Sequence, residues 1–362
     1  MALQQGGSLW AWGGNNAGQL GVGDTSDRHA PTKGGSAGDW AAVACGYERT
    51  LALRTDGSLW AWGLNYHGDL GVGHANDRLT PTQVGTAKDW ATVACGYGYS
   101  LAVMRDGTLW AWGGNDAGQL GLGDTRETDA PTRVGSDGDW ATVACGYQYS
   151  LGLKNNGSLW AWGYNGTGEL GLGDTHDRHT PTRVGSASDW EAVACDFTVT
   201  LGLQKDGSLW AWVGNGFGQL GLGDTRDRLS PTQVGSADDW AAVACGYDYS
   251  LAVKKDGTLW AWGHNYVGQL GLGDTTTRLA PTRVGTSNDW ASVSCGDGDT
   301  LALKANGTLW AWGFNGNGEL GLGDTKERHT PTEVGGGSPS AGVGDHEHPD
   351  GHGRAEVAEA RT

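Results

Sequence analysis

Long apolar runs, helical periodicity and an excess of basic charge are all missing from this sequence of 362 residues. No stretch reaches the roughly 18–20 consecutive apolar residues of a membrane-spanning helix, so no such span is expected. No window repeats its apolar residues every three or four positions, which argues against a helical fold. Lys and Arg number 24 against 41 Asp and Glu, a formal net charge of −17. A field of that sign disfavours nucleic acid and anionic membranes as partners and favours a protein with a basic surface. Phe and Met are scarce, at 3 and 2 residues, while Trp reaches 20. Disordered chains are poor in aromatics, so a packed core is expected in spite of the 66 glycines. The start of the chain has no charged-then-apolar pattern of a secretory leader, and a soluble, cytoplasmic protein is expected.

The six cysteines are not a disulfide framework either. They fall at 45, 95, 145, 195, 245 and 295, one per 50 residues at a single phase. Equivalent positions of successive units lie side by side, and bridging them needs Cα atoms roughly 4.4–6.8 Å apart. They read as small buried thiols.

What is present is a repeat. SLWAWG or TLWAWG recurs at 8, 58, 108, 158, 258 and 308, with SLWAWV at 208. Each period holds four strand-like segments, represented by DWAAVAC (39–45), TLAL (50–53), SLWAW (58–62) and PTQV (81–84). Asp-Gly or Asn-Gly separates the second from the third in six copies, and Gly6-Gly7 does so in the first. Such dipeptides supply the positive φ angles of a tight hairpin. Four antiparallel strands repeated at about 50 residues make a propeller blade. In SLWAW the two tryptophans project from one face and Leu9 and Ala11 from the other, so a bulky face is expected to pack on a small one. Seven LWAW strands but only six DWxxVAC strands predict an all-β, seven-bladed propeller whose first blade lacks its leading strand. Residues 1–335 form the propeller. SAGVGDH, within 336–346, is a degenerate candidate for closing the ring, and 347–362, with His346 just before it and His348 and His352 inside it, is a disordered tail.

The pattern VACGYxxxLALxxDGxLWAWGxNxxGQLGxGD…PTxV resembles the regulator-of-chromosome-condensation repeat family over about residues 1–335. The resemblance implies a seven-bladed β-propeller. Members of that family include an exchange factor for a nuclear small GTPase, a plant UV-B photoreceptor and a bacterial β-lactamase inhibitor, so the resemblance defines the fold far better than the activity. The photoreceptor motif GWRHT aligns with Gly46-Tyr47-Glu48-Arg49-Thr50, where tyrosine replaces the tryptophan and the Arg-His pair is missing, so light sensing is not expected.

Positions that differ between copies are free of the demands of the blade. One variable cluster follows Cys-Gly and includes Glu48, Arg49, Tyr99, Tyr149, Asp248, Tyr249 and Asp299. The other surrounds the asparagine after WAWG and includes Tyr66, His67, Tyr164, Phe217, His264, Tyr266 and Phe314. Strand alternation puts both on one end of the ring, an aromatic and acidic face suited to recognition. Exposure is expected for Tyr99, Tyr149 and Tyr249, and packing between blades for Tyr47, Tyr97, Tyr147 and Tyr247. Arg54, Arg105, Lys154, Lys205, Lys254 and Lys304 are expected at the opposite end. Asp24 and its counterparts lack the alternating ligands of a calcium loop and read as loop caps. No histidine pairs with a unique nucleophile, and no helix follows the glycine-rich strings, so no catalytic residues, metal or cofactor are expected. The expected function is a noncatalytic, monomeric protein-binding scaffold. The alternatives are a guanine-nucleotide-exchange regulator and a lectin whose tyrosines and asparagines hold sugars.

Overall fold

The computed structural model describes residues 1–35 and 37–335. The chain forms seven antiparallel sheets arranged as the blades of a propeller, and the described residues contain strands but no helix. Blade 1 has three strands, β1 (Ala2–Gln4), β2 (Ser8–Gly13) and β3 (Arg28–Lys33). Blade 2 has four: β4 (Trp40–Gly46), β5 (Arg49–Arg54), β6 (Leu59–Gly63) and β7 (Arg78–Gln83). Blades 3 to 7 repeat blade 2. The leading strands of successive blades meet around the axis, and strands of the β7 type form the exposed outer rim. The strand that blade 1 lacks is therefore the innermost one. The candidate closing segment lies outside the described residues.

The hairpin turns differ from the expectation in one respect. Gly6 and Gly7 both take positive φ, but in the Asp-Gly copies only the glycine does. Gly57 N–H donates to the Arg54 carbonyl and Arg54 N–H to the Ser58 carbonyl. This is a three-residue connection closed by a left-handed glycine, and Asp56 fills it by accepting from the Ser58 N–H and hydroxyl.

Blade-to-blade packing follows the bulky-on-small scheme. Trp40, Trp60 and Trp62 of blade 2 sit against Leu9, Ala11 and Leu20 of blade 1, and the same set recurs around the ring. Trp62 is wholly buried, and its indole N–H donates to the Gln19 carbonyl of the preceding blade at 2.9 Å. The close approach depends on Gly21, where a Cβ would lie 2.6 Å from Trp62 Nε1. Blade 7 meets blade 1 in the same way. Trp12 donates to the Glu319 carbonyl at 2.8 Å, Gly323 N–H donates to the His29 carbonyl, and Trp12 packs with Leu301, Ala311 and Leu320. The ring thus closes through side chains within the described residues.

Four of the basic residues expected at the far end of the ring lie over tryptophans there. Arg54 lies 4.0 Å from the Trp60 ring centroid, Lys154 4.7 Å from Trp160 and Lys304 4.8 Å from Trp310, and Lys254 is 4.8 Å from Trp240. Each also pairs with an aspartate of its own blade: Asp39, Asp139, Asp289 and Asp239. The reason is register, since Trp40 stands directly opposite Arg54 and the stem covers the indoles. Arg105 and Lys205 remain exposed.

Two glycines of one loop separate packing from backbone strain. Gly121 and Gly123 both have positive φ, but a Cβ at Gly121 meets Trp162 at 2.9 Å while one at Gly123 has only Thr180 at 3.8 Å. Both alanine variants incur about 1 kcal/mol of left-handed strain. Gly121→Ala is expected to cost about 1–3 kcal/mol more through overpacking. Equal denaturation midpoints for the two variants would contradict the packing scheme.

Candidate recognition face

The two variable loop sets share one end of the ring. Leu64 N–H, which opens the long loop after β6, donates to the carbonyl of Glu48, which lies between β4 and β5. The long loop is held by its asparagine. Asn65 is fully buried, its amide donates to the His74 and Asn76 carbonyls, and its Oδ1 accepts the Leu70 N–H. Asn15, Asn115, Asn165, Asn215, Asn265 and Asn315 are buried likewise. These asparagines are therefore loop pins, not sugar ligands. In blade 1, Asp24 caps the corresponding loop by pairing with Arg28 at 2.6 Å and accepting from Ser26 N–H. Those bonds hold its carboxyl below the usual range, and the arrangement recurs at Asp174, held to about 2 by Arg178.

Several residues expected on the face are buried instead. Tyr99, Tyr149 and Tyr249 are 0–1% exposed, because the strand begins at the tyrosine and puts it on the core side with, for example, Leu101 and Val103. Their hydroxyls reach the next blade: Tyr249 donates to the Asp299 carbonyl at 2.6 Å, and Tyr149 to the Asp196 carbonyl at 3.0 Å. Arg49 takes the same place in blade 2, with Nη2 donating to the Gly96 and Tyr99 carbonyls and Nη1 lying 3.1 Å from Asp69. Asp248 and Asp299 are buried too. Asp248 accepts from Thr198 and Gln219, and its burial pushes the carboxyl up. None of these six presents its side chain to a partner.

The surface itself is built from other members of the two sets. Tyr66, Tyr164, Phe217 and Tyr266 are exposed, and Glu48, His67, His264 and Phe314 are partly so. Phe217 stacks on His264 with centroids 4.2 Å apart, and His264 contacts Tyr266 at 4.7 Å. Burial lowers the His264 imidazole pKa. His67 Nδ1 lies 2.6 Å from Glu127 of the next blade.

The first aromatic residues of the loops that follow the cysteines form an arc. Tyr47, Tyr97, Tyr147, Phe197 and Tyr247 are in ring contact in that order, with centroids 4.7, 4.6, 4.3 and 5.1 Å apart. Successive planes turn by 39–49°, near the step of about 51° between seven blades. Each ring packs on the ring of the adjacent blade, yet Tyr97, Phe197 and Tyr247 stay 36–40% exposed. Asp297 holds the next position. Burial pushes the Tyr47 hydroxyl up to about 12, with Glu48, Tyr97 and Asp297 adding to it.

The sequence model of the RCC1-like domain matches residues 1–198. The chain belongs to the RCC1-like family. The regulator of chromosome condensation (RCC1) repeat model matches 206–253, 256–303 and 306–343 of this RCC1-like propeller. No curated protein sequence matches it. Human WBSCR16 is similar in structure, with a TM-score of 0.80 at 24% identity over 90% of this chain and 93% of that one. Prp20p from Saccharomyces cerevisiae gives 0.81 at 23% identity over 92% and 87%, in a structure described with its binding properties to Gsp1p and histones. A structure of Kap60 bound to yeast RCC1 (Prp20) gives 0.82 at 23% identity over 92% and 85%.

Asp299 generates a pH prediction. It occupies the tyrosine position of blade 7, is 1% exposed, and its Oδ2 has no hydrogen-bond partner among the described residues. Burial, aided by Glu319 and Asp297, pushes its carboxyl well above the carboxylate range. A carboxyl that holds its proton more tightly when folded stabilises the fold below its unfolded value of about 3.9. That contribution is lost as pH rises through the folded value. Asp299→Asn is therefore expected to raise Tm at pH 7, with the gain shrinking to nothing toward pH 3–4. Parallel Tm–pH curves for the two proteins would contradict this.

Proposed function

We propose that this RCC1-like propeller is a noncatalytic, monomeric scaffold that binds a protein through its aromatic loop face. One observation carries the reading. Seven exposed aromatic side chains, Tyr66, Tyr97, Tyr164, Phe197, Phe217, Tyr247 and Tyr266, all lie on this one end of the ring. The other large exposed apolar residues among the described ones, Leu79, Leu229 and Leu279, sit on outer strands. Aromatic residues exposed together on a rigid frame are good material for protein contacts, since they bring large area at little entropic cost. The acidic composition favours a partner with a basic surface over nucleic acid or membrane.

Noncatalytic action fits the way the carboxylates are used. Those of the long loops recur blade by blade and are tied to arginines or backbone N–H groups, whereas an active site gathers one asymmetric constellation. Prp20, of similar fold, has been crystallised with Kap60 bound to it.

Retention of proteins from a cell lysate tests the reading. A Tyr66→Ser, Phe217→Ser, Tyr266→Ser variant changes only exposed side chains and is expected to lose what the natural chain retains. An Arg105→Ser, Lys205→Ser variant of the opposite end is expected to keep it. Retention unaffected by the first variant and abolished by the second would reverse the assignment of the face.

A further inference from the structure

A cavity of about 250 Å³ opens on this face where blades 7, 1 and 2 meet. Its walls bring together three carboxylates from three blades: Glu319, Asp27 and Glu48. Pockets for drug-sized ligands run to roughly 300–1,000 Å³, so this one has the dimensions of a single long side chain. Glu48 follows Tyr47 in the chain, so the cavity adjoins one end of the aromatic arc.

No side-chain cation among the described residues pairs with these carboxylates. Each carboxylate accepts hydrogen bonds from neutral groups only. Asp27 accepts from the Asn15 N–H, Glu48 from the Asn16 amide, and Glu319 from the Asn317 N–H and amide. None of the three forms an ion pair among the described residues, and a carboxylate has about four acceptor sites to fill. The one side-chain cation in the wall, Arg49, is 1% exposed and already faces Asp69 behind it, and Met1 lines the wall beside it. Burial pushes the Glu319 carboxyl up, and the charge of Asp27 adds to that, so a cation placed between them is favoured. A second feature points to a peptide and not to a bare amine: the Tyr47–Tyr97 pair beside the cavity begins an aromatic arc on which the neighbouring side chains of a peptide can lie.

We infer that the partner docks through a lysine- or arginine-containing segment that seats one basic side chain in this cavity while its neighbours lie along the aromatic arc. The inference rests on the protein-binding reading above and adds the chemistry of the partner and the place of its anchor. Coulombic attraction in a partly desolvated pocket gives a salt-dependent contact whose loss appears mainly in the dissociation rate.

The probe is an acetylated, amidated octapeptide of alternating Gly and Arg, with the Gly-Glu octapeptide as control. Titrations of the full chain, followed by NMR, are expected to show binding of the Gly-Arg peptide that weakens with added salt. Glu48→Gln and Glu319→Gln, each checked for an unchanged melt, are each expected to weaken it at least about fivefold. A Gly-Arg peptide that binds both Gln variants as tightly as the natural chain, but not the Tyr66→Ser, Phe217→Ser, Tyr266→Ser variant, would overturn the anchor and leave the face reading standing. Absence of binding to the natural chain, or equal binding of the Gly-Glu peptide, would overturn the inference outright.

Discussion

The carbonyl oxygen of Gln19 accepts two hydrogen bonds from the next blade, one from the Trp62 indole and one from the Thr50 hydroxyl, both at 2.9 Å. Asp69, Gln119, Gln219 and Gln269 repeat the arrangement with a tryptophan and a serine or threonine. Glu169 and Glu319 accept the indole. These are buried bonds, each worth about 1 kcal/mol net and more if one partner is left alone. Their larger effect is positional. The indole that reaches that oxygen also packs closely on the glycine of the preceding loop, so the bond and the contact together hold loop, blade spacing and core. A repeated sequence therefore becomes a ring with little freedom in the angle between blades.

From that constraint the division of labour on the loop face follows. Residues whose side chains reach into a neighbouring blade are committed to holding it: the buried tyrosines and Arg49 reach the next blade, and the serine or threonine that follows reaches the preceding one. The asparagine pins and aspartate caps fix the long loop from within. What remains for recognition is the set of side chains just before the strand and on the crest of the long loop. Blade 5 shows how tight the arrangement is. There Val199 replaces the tyrosine, and its strand partner is Val213 at φ 93°, a left-handed β-branched residue where the other blades have glycine.

Blade number, strand order and the packing of bulky on small faces were all legible in the sequence, because period, turn glycines and alternation act locally. The error at Tyr99, Tyr149 and Tyr249 was also local. Placing the strand start at residue 50 and not 49 left the preceding residue in the loop, although tyrosine shares the two-residue phase of Leu101 and Val103. Counting alternation one step back would have found it. The fate of Arg54 and Lys154 was similarly within reach, since a basic residue opposite a tryptophan on a hairpin has an indole to cover. The cavity at the blade 7, 1 and 2 junction was not legible. Its walls come from residues 27, 48 and 319, which only closure of the ring brings together.

Hydrogen exchange of the indole N–H groups, read residue by residue by NMR, tests the central claim most directly. If the inter-blade indole bond holds every junction alike, Trp12, Trp62, Trp112, Trp162, Trp212, Trp262 and Trp312 should be protected to within about tenfold of one another. Exchange at Trp12 faster than at the other six by orders of magnitude would show that blades 7 and 1 part independently. The ring would then not be the single closed unit on which this account depends.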